Sequence, residues 1–74
     1  MDIKVCIGLR IKVLRTHFNL TQEELAYKVD LDRTYINSVE KGKRNISIEN
    51  IKKITKGFEL TVFDFFNDDL FKEE

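Results

Sequence analysis

The sequence predicts an all-α fold, a five-helix bundle, and three observations carry that prediction. Apolar residues recur at helical spacing in two long segments. Ile3, Ile7, Ile11, Leu14 and Phe18 step by 4, 4, 3 and 4, and Ile48, Ile51, Ile54 and Phe58 by 3, 3 and 4. Residues that cap helices stand ahead of the later segments, at Thr21, Asp32, Ser47 and Thr61. Between Thr21 and Val39 the pattern shortens into two brief helical periods on either side of a tight turn.

The first helix covers residues 3 to 17. Gly8 inside it costs about 1 kcal/mol relative to Ala. Cys6, Leu9 and Val13 make a second, narrower apolar stripe, open to packing within the fold or on a partner subunit. A lone cysteine forms no internal disulfide, and Cys6 reads as a small packed hydrophobe. His17 falls in the surface loop that follows, which Leu20 anchors in the core. Thr21 with Glu24 makes a capping box, so a helix starts at Gln22 and presents Leu25, Ala26 and Val29 inward. Asp30 takes the turn because Asp tolerates left-handed backbone, and Leu31 plugs it. Asp32 caps the next helix, whose Ile36 and Val39 face inward. Arg33, Thr34, Tyr35, Asn37 and Ser38 are then left pointing outward. They are long or polar and carry one charge among them, which is the composition of a reading surface.

With those residues in place, LTQEELAYKVDLDRTYINSVEKGKRNIS, from Leu20 to Ser47, resembles the helix-turn-helix of the Cro/C1-type (XRE-like) DNA-binding family. The matching features are Gln22 after the cap, Leu25-Ala26 in the first helix, the plug Leu31, and the closing Glu40-Lys41-Gly42. The resemblance covers about residues 7 to 66. Within the family, LDRTYINSVEKGKRN is similar to the small controller proteins of restriction–modification systems. The resemblance implies a lambda-repressor-like DNA-binding domain and a structural ion pair between Arg15 and Glu40. It also implies a recognition helix in the major groove carrying Arg33, Thr34, Tyr35, Asn37 and Ser38. Gln22, Lys41, Lys43, Arg44 and Asn45 would lie along the DNA backbone.

Gly42 is a natural left-handed cap for the recognition helix, and Lys43, Arg44 and Asn45 form a loop of donors beside it. Ser47 caps the fourth helix. Ile46 stands where family members commonly carry Pro, and Gly57 also departs from the family pattern. Thr61 with Asp64 starts a short fifth helix that runs through about Phe66. Val62, Phe65 and Phe66 fit family core positions, whereas Phe63, Leu70 and Phe71 do not. Such groups either close the core or form a subunit interface. Phe63, Phe66, Leu70 and Phe71 are expected at the interface, because monomers seldom leave such groups together on the surface.

The chain of 74 residues makes one small domain, with the helix-turn-helix at about 21–41 and dimerisation at about 61–74. Zero net charge at first argues against a nucleic-acid partner, but the charge is segregated. Seven basic residues face two acids from Arg33 to Lys56, a net of +5; six acids face Lys72 from Glu59 onward, a net of −5. No apolar run approaches 18 residues and no secretory segment is present, so a cytoplasmic location is expected and no membrane partner. One His and one distant Cys fit no metal site, no cofactor is expected, and the absence of nucleophile–base pairs argues against an enzyme. The expectation is therefore a dimeric transcription regulator on an inverted-repeat operator in double-stranded DNA. With no second domain it would switch by concentration, and activation would need contact with RNA polymerase. A phage Cro/C1-like repressor, an antitoxin-type regulator and a protein-interaction module are the alternatives.

Overall fold

Five α-helices follow one another along residues 1–72, the part of the chain that the computed structural model describes, and each starts at a side-chain cap. In α1 (Ile3–His17) the Asp2 carboxylate accepts the Lys4 amide at 2.8 Å. In α2 (Gln22–Val29) the capping box is complete: Thr21 Oγ1 accepts the Glu24 amide at 3.0 Å, and Glu24 Oε1 accepts the Thr21 amide at 2.8 Å. Asp32 caps α3 (Arg33–Glu40), Ser47 caps α4 (Ile48–Gly57), and a second box of Thr61 and Asp64 opens α5 (Val62–Phe66). These contacts satisfy amides that a helix start leaves without partners, which is why the helices begin where the caps predict. An additional 3-10 turn, Asp69–Phe71, closes the chain beyond α5. Glu73 and Glu74, the last acids of the predicted acidic end, lie outside the described residues.

The chain reverses sharply after several helices, and left-handed residues make those reversals. Two were expected, Gly42 and Asp30, the latter at φ 57° between α2 and α3. Asn19 and Glu59 adopt the same conformation after α1 and α4, and Gly42 (φ 73°) after α3. Each lets a following amide return to the carbonyls that the helix end exposes: Leu31 N–H reaches Ala26 O, and Leu60 N–H reaches Thr55 O, both at 2.9 Å.

α1 packs on α3, α2 on both α3 and α4, and α4 on α5, around Ile7, Ile11, Leu25, Ala26, Val29, Ile36, Val39, Ile54, Phe58 and Phe65. Burying each large apolar side chain contributes roughly 1.5–3 kcal/mol, so this cluster drives the fold. The predicted stripes hold in their middles and miss at their first residues. Ile3 is 56% exposed while Ile7 and Ile11 are buried, and Ile48 is 85% exposed while Ile54 is fully buried. α4 thus starts outside the core at Ile48 and Glu49, and reaches it through Ile51 and Ile54. Val62, placed in the core by its sequence position, is also exposed, because α5 is short and turns only Phe65 fully inward. Phe18 remains partly exposed and stacks on Phe58 with ring centroids 5.7 Å apart.

Candidate nucleic-acid interface

α3 owes its position to its inner side. Ile36 and Val39 are buried against α1 and α2 with Glu40 beneath the end of the helix, so Arg33, Thr34, Asn37 and Ser38 are turned toward solvent. Arg33 and Thr34 are exposed at its start, and Asn37 and Ser38 are half-buried one turn later. Arg33, Asn37 and Lys41 stand four residues apart and share one side of the helix and its end. Lys41, Lys43, Arg44 and Asn45 are all exposed in the adjoining loop, so the structure brings the predicted helix and loop donors together.

Tyr35 differs from the outward position expected. It is half-buried against the core, its hydroxyl accepts Asn50 Nδ2 at 3.0 Å, and the Arg44 guanidinium lies over its ring at 4.9 Å. A cation on an aromatic face is favourable, so the loop is tied to the recognition helix through Arg44 and Tyr35. Asn50 had no visible role in the sequence, since nothing in its spacing marks a partner fifteen residues away.

Beneath the surface lies the ion pair that the family resemblance implied. Arg15 Nε donates to Glu40 Oε2 at 2.6 Å and Nη2 to Oε1 at 3.0 Å, while Nη1 holds the Leu20 carbonyl at 2.8 Å. The Glu40 hydrogen bond raises the Arg15 pKa, burial opposes it, and the Glu40 charge adds to the rise. Gln22 is drawn into this network. Its Nε2 donates to Glu40 Oε1 at 3.0 Å and its Oε1 accepts Asn37 Nδ2 at 2.9 Å.

The expected interface residues separate. Phe66 and Phe71 pack on Phe65 and on each other, with centroids 4.9 to 6.1 Å apart, so both serve this chain's own core. Leu70 is half-buried, and Phe63 stays 73% exposed. Of the second α1 stripe, Cys6 is buried whereas Leu9 and Val13 are open to solvent. Arg10, which the sequence did not single out, clamps this end of the fold. It donates to the Phe65 carbonyl at 2.8 Å, the Asp64 carbonyl at 3.0 Å and Asp68 Oδ2 at 3.2 Å. A cation at the C-terminal carbonyls of α5 stabilises that end. His17 is the last residue of α1 and not part of the loop expected after it; it is exposed and meets Phe18 edge-on. Among the described residues, no helix is long and apolar enough to cross a membrane.

A two-helix motif with a left-handed turn, a buried brace and an exposed polar helix defines a class. The chain belongs to the helix-turn-helix family, whose model matches residues 11–65. Within that class it is similar to control protein C.MunI of a Mycoplasma species, 46% identical over 68 residues, covering 90% of this chain and 92% of that protein. Its structure matches the restriction–modification controller protein C.AhdI from Aeromonas hydrophila with a TM-score of 0.81 at 40% identity, over 85% of this chain and 96% of that one. It likewise matches the restriction–modification controller protein C.Esp1396I, solved as a tetramer with its natural 35 base-pair operator, with a TM-score of 0.82 at 39% identity, over 89% and 87% of the two chains.

Proposed function

We propose that this chain is a dimeric, sequence-specific DNA-binding regulator of transcription, a controller of a restriction–modification system that acts on its own promoter. The observation that carries the reading is the exposed start of α3. Arg33 and Thr34 project from a helix held rigidly by Ile36, Val39 and the Arg15–Glu40 pair. Such a helix enters the major groove while side chains at its start meet base edges. Lys41, Lys43, Arg44, Asn45 and Gln22 lie where phosphate contacts would fix the register without reading sequence. The likeness to a controller solved on its operator supports the same use of the same surface.

One copy covers too few base pairs to select a single genomic site, so two copies pair around a twofold axis. Phe63 and the open side of α1 at Leu9 and Val13 supply the exposed apolar surface for pairing, at the end of the fold that Arg10 braces. Because pairing precedes operator occupancy, binding rises steeply with protein level, which suits a self-regulating switch. The protein acts in the cytoplasm by occupancy instead of catalysis, and activation adds a contact with RNA polymerase. Footprinting on the DNA upstream of its own gene tests the reading. The expected result is an inverted repeat with half-sites centred roughly 34 Å apart, protected over a narrow range of concentration. Protection that extends evenly along the duplex would contradict it.

A further inference from the structure

The direction of the hydrogen bonds on the reading surface is set from inside the fold. The Glu40 carboxylate, buried and paired with Arg15, can only accept. Its Oε1 already takes Arg15 Nη2, and the second group it takes is Gln22 Nε2, both at 3.0 Å. Gln22 must therefore turn its nitrogen toward Glu40, which leaves Oε1 facing α3. That oxygen accepts Asn37 Nδ2 at 2.9 Å, so Asn37 must turn its nitrogen toward Gln22. Reversing Gln22 would aim a carbonyl oxygen at a carboxylate, and reversing Asn37 would oppose two carbonyl oxygens. The chain Arg15–Glu40–Gln22–Asn37 has one direction only.

We propose that this chain makes Asn37 a specificity-determining residue for adenine, with Gln22 as its positioning residue. The proposal rests on the reading of α3 as the helix that enters the major groove. Asn37 lies one turn after Arg33 on the same side of α3. With one N–H held by Gln22, Asn37 offers outward its Oδ1 acceptor and its second N–H. Adenine presents a matching pair in the major groove, the N6 donor and the N7 acceptor. Guanine presents two acceptors, N7 and O6, and would set O6 against the Asn37 oxygen. An Asn37 freed from Gln22 can rotate its amide and meet either purine with its nitrogen. The buried pair therefore selects between purines at a distance, through two amides, without touching DNA.

The test uses the full chain and a pool of duplexes randomised across two half-sites, sequenced after selection. The wild-type protein should enrich an adenine at a position where Asn37→Ala shows no preference, which identifies the base that Asn37 meets. At that position Gln22→Ala should lower the adenine-over-guanine ratio at least about fivefold while the other positions keep their preferences. Gln22→Met, which keeps the length and apolar contact but neither hydrogen bond, should do the same. Loss of a phosphate contact at Gln22 would weaken all sequences alike and leave the ratio unchanged, so a merely supporting role does not mimic the effect. An unchanged ratio in both Gln22 variants, or guanine at the Asn37 position, would overturn the proposal and leave DNA reading by α3 intact. A wild-type protein that enriches no sequence would overturn both.

Discussion

Gly8 of α1 lies against the last turn of α3: a β-carbon at residue 8 would sit 2.4 Å from the Val39 carbonyl oxygen and 2.9 Å from that of Glu40. Both obstacles are backbone, so neither can swing aside. This close approach holds the end of the recognition helix, and it explains a glycine that helix propensity alone disfavours. Gly8→Ala should gain at most about 1 kcal/mol of propensity. It should lose more than that to overpacking, which costs about 1–3 kcal/mol, for a net loss of up to about 2 kcal/mol. Thermal unfolding of the variant measures it, and a raised Tm would mean that α1 shifts without cost.

Glu40 is the second brace. Glu40→Ala leaves the half-buried Arg15 guanidinium without its partner, and should cost about 1–3 kcal/mol. The pH dependence has a definite sign. Arg15 has its pKa raised in the folded protein by the Glu40 hydrogen bond, so its contribution is complete below the unfolded value and fades only as pH climbs through the higher folded one. The Tm gap between wild type and Glu40→Ala should therefore stay constant on the alkaline side from neutral to about pH 10. A gap that closes over that range would assign the stabilisation to another titrating group.

Exposure separates the aromatic residues at the C-terminal end. Phe63→Glu changes a side chain that is 73% exposed, so the variant should keep its helix content and the stability of its folded monomer within about 0.5 kcal/mol. It should sediment as a monomer with sharply weakened operator binding. Phe65→Ala empties a buried site and should cost about 3–5 kcal/mol. A Phe63→Glu protein that remains dimeric at micromolar concentration would move the interface elsewhere.

Lys43 and Arg44 should act through phosphate. Either one changed to Ala should weaken cognate and random DNA alike and flatten the slope of log K against log salt by roughly one unit. Arg44→Ala also removes the guanidinium from the Tyr35 ring. A slope unchanged in both variants would make the loop a solvated turn.

Much of this architecture was legible in the sequence because its signals are local. Thr21 with Glu24, Asp32, Ser47, and Thr61 with Asp64 each announce a helix start within three residues, and each cap forms. Burial depends on where a helix meets its neighbours, so periodicity overextended the core to Ile3 and Ile48, and the family pattern overextended it to Val62. Phe71 looked available for a partner, but the 3-10 turn folds it onto Phe65 and Phe66, a reversal that no residue before Asp68 signals. Arg10 with Asp64, Phe65 and Asp68, and Tyr35 with Asn50, join distant segments by contacts that leave no periodic trace. The candidate reading face was legible as residue types. The bond between Gln22 and Asn37, and the direction it imposes, needed coordinates.

The central claim is that α3 reads bases, and Arg33 tests it most directly. Arg33 is exposed at the first position of the helix, where a guanidinium can donate two hydrogen bonds to guanine O6 and N7. Affinities of wild type and Arg33→Ala should be measured at one salt concentration, on the cognate operator and on operators with single base pairs changed. Arg33→Ala should lose roughly 1–3 kcal/mol on the cognate site and almost nothing where the contacted guanine has already been replaced. Equal losses on every operator would mean that Arg33 only neutralises phosphate, and would contradict base reading by this helix start.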